Sequence, residues 1–211
     1  MTAIPDDFLE AAQSLKDLRF RPEVTVRQLA ITPARKAGAA TQTRWSVALA
    51  VTVDPSAQYP AHSPHTSDTQ IDESYFLLAY DPHHRQSWGS SLRIATVAHT
   101  DIETDIATDP LFASSTWNDL VQGLTRATDG YYSLHGSVSC SVHEFFPHAP
   151  LDCVPLLNST PSPKRATVDL RASWSPRTLR IGHHFRAWVA VLEKLRGLEP
   201  EGVASLLRAH G

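Results

Sequence analysis

Hydrophobic positions recur along this chain with two periods, one near 3.6 residues and one of two residues, and the switches between them outline its elements. From Asp6 to Leu18, Phe8, Ala12 and Leu15 fall at helical spacing with Leu9 and Leu18 beside them. Asp7 followed three residues later by Glu10 fits an N-terminal cap, so the stretch predicts a first helix. Pro22 ends it, and Glu23 to Ile31 is rich enough in β-formers for a first strand. Arg44 to Val53 alternates cleanly, with Trp45, Val47, Leu49, Val51 and Val53 on one side, predicting a strand with one buried face. Ser74 to Tyr80 is apolar on both sides, the pattern of a strand inside a sheet. Leu92 to His99 returns after a turn from Asp81-Pro82 to Trp88-Gly89, which makes a hairpin.

Asp101 to Asp109 carries Ile102 and Ile106 among acids and ends at Pro110, predicting a short helix. A second main helix is expected from Thr116 to Ala127, striped by Trp117, Leu120, Val121 and Leu124, with Thr116 and Asp119 as a capping box and Asp129-Gly130 as the stop. Tyr132 to Glu144 alternates again. Leu134, Val138, Cys140 and Val142 point inward, while Ser133, His135, Ser137, Ser139, Ser141 and His143 form a markedly polar side. Arg165 to Trp174 sets Ala166, Val168, Leu170, Ala172 and Trp174 inward and Arg165, Asp169 and Arg171 outward. A last long helix carries Phe185, Trp188, Val189, Leu192 and Leu195 and stops at Gly197, with a short helix expected after Pro200.

Strands joined by short turns favour antiparallel pairing over parallel crossover units. The chain therefore predicts a single α+β domain over residues 1–211, an antiparallel sheet of about five to six strands with helices packed on one face. Irregular loops are expected at residues 54–72 and 147–164, the second holding five prolines. The polar side of the sheet, lined by Ser133 to His143 and Arg165 to Ser173, is left to solvent or to a partner.

Composition narrows the class. With 42% hydrophobic and 19% charged residues the chain can build a core and is not of the disordered type. Lys and Arg number 19 against 22 Asp and Glu, for a formal charge of −3, and no run of like charges appears. Direct nucleic-acid binding through a cationic surface is therefore not expected. No basic-then-apolar leader precedes Pro5, and no apolar run approaches the length of a membrane span, so a cytosolic protein is expected. In that compartment Cys140 and Cys153 are expected as free thiols, with Cys140 in the core.

Three strings carry a family resemblance: Leu78-Ala79-Tyr80-Asp81-Pro82 with Trp88; Asp109-Pro110-Leu111 with Trp117 and Leu120; and Leu170-Arg171-Ala172-Ser173-Trp174-Ser175-Pro176. His184-Phe185 with Ala187-Trp188 and Gly197-Leu198-Glu199-Pro200 continue it. In these the chain resembles the actinobacterial family known only as a domain of unknown function, number three thousand. The sequence departs from that pattern at Glu144 to Pro150, where a Gly-rich turn is usual, and in its longer, more polar segment from Asp54 to Asp72. The family has no established activity, so the resemblance supplies no catalytic residue; its association with a ribonuclease brings in an accessory role in RNA metabolism.

The candidate chemistry is thin. Eleven histidines include the pairs His62/His65, His83/His84 and His183/His184, but no HExxH and no paired CxxC accompanies them, and no metal is expected. His135 and His143 share a strand with serines, yet neighbours on one strand face lie about 6.6 Å apart, and no Gly-x-Ser-x-Gly elbow is present. No Gly-rich phosphate loop exists and no cofactor is expected. The favoured expectation is a non-enzymatic binding or regulatory protein with a protein partner. Trp88, His135, Ser137, His143, Asp169 and Arg171 are its candidate binding residues, and no catalytic residue is assigned. The alternatives are the ribonuclease accessory and a small-molecule hydrolase using His135, His143 or Asp169.

Overall fold

The computed structural model describes residues 4–28, 32–34, 44–54, 73–144 and 164–198. The loops expected at 54–72 and 147–164, the helix after Pro200, Cys153 and the His62/His65 pair lie outside these, apart from Asp54 and Lys164.

In chain order the elements are α1 (Asp6–Gln13), β1 (Val24–Gln28), β2 (Thr32–Ala34), β3 (Arg44–Val53), β4 (Ser74–Tyr80), α2 (Arg85–Trp88), β5 (Leu92–Ile102), α3 (Thr104–Ala107), α4 (Phe112–Ala127), β6 (Tyr131–Glu144), β7 (Lys164–Pro176) and α5 (Ile181–Leu195). Six strands pair antiparallel in the order β1-β3-β4-β5-β7-β6, and β2 adds to β3 beside β1. The fold is α+β, as expected. No described helix is long and apolar enough to cross a membrane.

The two-residue period puts Val47, Leu49, Phe76, Leu78, Ile94, Leu170 and Trp174 on one side of the sheet, all buried, and α5 lays Ile181, Phe185, Trp188 and Leu192 over them. At the centre the rings of Phe76 and Phe185 stand edge to face at 5.0 Å, with Trp188 at 5.7 Å from Phe76. Aromatic pairs in such geometry add to the area they bury. Fully buried Trp174 donates its indole N–H to His184 Nδ1 at 3.1 Å, which seats the first turn of α5 on β7. α4 crosses the far end, and its Trp117 ring lies so close to Gly136 of β6 that a Cβ there would meet both that ring and the Arg171 carbonyl oxygen.

Several boundaries differ from the sequence pattern. The first helix stops at Gln13, not Leu18, and the Ser14 hydroxyl bonds back to the Ala11 carbonyl; the N-cap is Pro5, and Asp7 makes no cap. The second main helix begins at Phe112. Thr116 is buried inside it, because the Asp109 carboxylate accepts the Leu111 N–H and starts the helix earlier. The helix expected at Asp101–Asp109 is one turn, Thr104–Ala107, since β5 runs on through Ile102. β4 is internal but buried on one side only: Tyr75 and Leu77 are exposed. Cys140 and Val142 are not core either. β6 is the sheet's edge, where Cys140 is half-buried and Val142 is 44% exposed.

Burial lowers the His184 pKa from 6.5 to about 4, with the charge of His183 adding to the effect. The ring is neutral in the fold, whereas the unfolded chain protonates it near 6.5. The contribution of His184 is thus complete above pH 6.5, is lost as pH falls toward 4, and amounts to about 3 kcal/mol. Urea unfolding at a series of pH values should show this slope. His184→Asn, which keeps an acceptor for Trp174 and cannot protonate, should flatten it.

Candidate functional site

Among the described residues no helix covers the middle of the sheet side opposite α5, and this is the open face. Alternation on β5, β6 and β7 turns five of the expected residues onto it, and register sets them in rows. Val97, Arg171 and Ser137 are cross-strand neighbours; Ala95, Ser173 and His135 form the next row, and His99, Asp169 and Ser139 the one on the other side. His143 sits toward the far end opposite Arg165, whose guanidinium is held bidentate by Asp101 at 2.7 and 2.8 Å. Asp169 pairs with His99 at 3.2 Å, while Arg171 is exposed and has no side-chain partner among the described residues.

The sixth residue, Trp88, lies apart from these rows in the turn between β4 and β5. Its half-buried ring stacks on His84 at 4.7 Å, and Asp81 fixes that turn by accepting the His83 N–H and contacting His84 Nδ1 at 2.8 Å. Gly89 adopts φ 73 so that the turn can press against Tyr132 of β6; a Cβ would come within 3.0 Å of that ring. Tyr132 is in turn covered by the Arg177 guanidinium at 4.7 Å.

The residue that the sequence reading missed is Arg93. Buried, and without a carboxylate partner among the described residues, its guanidinium donates to Ser173 Oγ at 2.7 Å, Ser175 Oγ at 3.2 Å and the Ser133 carbonyl at 3.2 Å. A ring nitrogen of His135 lies 3.0 Å away and faces it as the acceptor. Burial pulls the Arg93 pKa below its ordinary value. The carbonyl of Ser133 reaches it because β6 bulges between Tyr132 and His135 and Ser133 takes φ 50, a conformation a serine rarely adopts. A lone cation between Leu92 and Ile94 was the signal available in the sequence.

Among the described residues these rows do not set out a Ser-His-Asp triad. A serine triad needs the imidazole between hydroxyl and carboxylate, and the row His99–Asp169–Ser139 has the carboxylate in the middle. His135 is occupied by Arg93, and the Ser173 hydroxyl donates to the Ile94 carbonyl. No cluster of three or more metal-ligating side chains occurs among the described residues. Where His183 and His184 adjoin, one is exposed and the other buried.

Among known families, one described as protein of unknown function (DUF3000) matches residues 4–204. The chain belongs to this family. No curated protein and no solved structure matches it. Two of the strings by which the chain resembles DUF3000 proteins have a role in packing. In Arg171-Ala172-Ser173-Trp174-Ser175-Pro176 the two serines grip Arg93 from one face, while Trp174 holds His184 from the other. Leu78 to Pro82 builds the core and the Asp81 turn beneath Trp88.

Replacing Arg93 by Met should leave two hydroxyls and a carbonyl without their donor and cost about 1–3 kcal/mol. Arg93→Lys, which keeps the charge and loses the fork, should fall between it and the parent in urea unfolding.

Proposed function

We propose that this DUF3000 protein is a cytosolic, non-enzymatic binding protein whose open sheet face receives a protein partner. The observation that carries this reading is an apolar patch in the middle of that face: Tyr75, Leu77 and Val97 are 36–40% exposed on the adjacent strands β4 and β5. Tyr75 lies directly opposite Val97, and Ala48, Ala50 and Ala95 make a low floor around them. Exposed aliphatic and aromatic side chains gathered on a flat surface mark interaction sites. Beside the patch stands Arg171, cross-strand from Val97 and without a partner of its own among the described residues. On the other side Tyr75 and Arg27 are both bound to Glu73, at 2.8 and 2.6 Å.

A complementary partner places an apolar anchor over Leu77 and Val97 and a carboxylate against Arg171. Charged rims of this kind set orientation and on-rate, and the desolvated centre sets affinity. His135 lies at the Arg93 end of the face, and beyond it the turn that carries Trp88, pressed against Tyr132, extends the contact. RNA fits less well: Glu73, Asp101 and Asp169 stand among the arginines, and phosphates would meet them.

Leu77→Asp with Val97→Asp removes the patch from exposed positions, so the far-ultraviolet spectrum should be retained. Crosslinked capture from native lysate, followed by titration of the purified partner, should show affinity for the variant lowered by tenfold or more, about 1.4 kcal/mol. Arg171→Glu should weaken the same complex, and more so at low ionic strength. A partner that binds parent and double variant equally would end this reading.

A further inference from the structure

The two edges of the sheet are built differently. On one side β1 has five residues and β2 three, and β2 contains Pro33, so little backbone is left to pair. At the other edge β6 has 14 residues and carries no proline, lysine, arginine or aspartate. Among the described residues no strand lies on its outer side. Register with β7 is unbroken from His135 to Glu144 once the bulge is passed. In an antiparallel pair, alternate residues turn their N–H and C=O away from the neighbour, so this edge presents a regular row of donors and acceptors.

Those nine residues, His135-Gly136-Ser137-Val138-Ser139-Cys140-Ser141-Val142-His143, read almost alike in both directions about Ser139. We propose that β6 pairs antiparallel with β6 of a second copy of this chain, centred on Ser139, so that two six-strand rows become one continuous sheet. Antiparallel edges related by a two-fold axis are complementary in their backbone charges, each donor meeting an acceptor. On the open face the register places His135 opposite the second copy's His143, Ser137 opposite its Ser141, and Ser139 opposite itself. On the helix face Val138 meets Cys140, and Val142, 44% exposed in one copy, lies opposite Gly136, which is itself exposed beside the Trp117 ring. No like charges are brought face to face: Asp169 and Arg171 stand one strand back, next to Ser139 and Ser137. The axis runs normal to the sheet, so both open faces look the same way. The pairing is independent of what those faces bind.

Sedimentation velocity over the micromolar range should give twice the chain mass of 23.2 kDa. Two matched double variants test the register. Ser137→Lys with Ser141→Lys sets like charges across the axis and should raise the dimer dissociation constant by about tenfold or more. Ser137→Lys with Ser141→Glu sets opposite charges there and should remain dimeric. With Cys140→Ser and Cys153→Ser, Ser139→Cys should oxidise to a covalent dimer. A monomeric parent throughout the range, or two double variants that dissociate alike, would overturn the proposal, as would failure of the single thiol to cross-link.

Discussion

The hydrogen bond from Trp174 to His184 is the constraint around which the molecule is arranged. The indole N–H of Trp174, buried among aromatic rings, has its acceptor in the imidazole Nδ1 at the start of α5, whereas the equally buried indole N–H of Trp188 has no partner among the described residues. That bond sets where α5 begins on β7, and helical spacing then delivers Phe185 and Trp188 onto Phe76. Because a strand alternates, the residues on either side of Trp174 face the other way. There Ser173 and Ser175 are committed to Arg93. One short string of β7 thus ties the helix layer to one surface of the sheet and orders the polar corner on the other.

With the helices on one side, the opposite face is free of folding duties over most of its area. Its exposed ion pairs, Arg27 with Glu73 and Arg165 with Asp101, contribute little to stability, since solvent screens them. Tyr75, Leu77 and Val97 bury only part of their surface in the folded chain. Arg93 is the exception, because its four partners come from β6 and β7 and it is inside the structure. A rigid corner beside a loosely committed apolar patch suits recognition: the corner fixes the backbone, and the patch supplies area still open to burial.

How far this was legible in the sequence depended on the range of the interaction. Two-residue alternation placed Val47, Leu49, Val51 and Trp174 inward and His135, Ser137, Asp169 and Arg171 outward, and these faces are the observed ones. Helix starts were less legible. Thr116 with Asp119 has the form of a capping box, but an Asx turn at Asp109 opens the helix earlier and buries the threonine. β4 reads as buried on both sides because Tyr75 and Leu77 are apolar, and whether a second layer covers a strand is not written in that strand. Arg93 was invisible for a related reason: its partners lie 40 to 82 positions along the chain and converge only when β6 and β7 are in register. Cys140 and Val142 looked like core because alternation reports which face a residue takes, and strand order decides whether that face is deep.

Strand order also explains why the two edges need not be treated alike. An edge of three and five residues with a proline is finished: it has too little regular backbone to recruit another strand. An edge of 14 residues with serines along one side keeps a long regular row of backbone donors and acceptors for pairing. A two-fold axis normal to the sheet leaves both helix layers on one side and both apolar patches on the other. A partner with two matching sites would then bind the second at an effective concentration set by the spacing of the patches, and would gain avidity without any new contact. Pairing at the edge turns on Ser137 to Ser141 and recognition on the face on Leu77 with Val97, while His135 borders both. The geometry of the sheet is what would make each strengthen the other.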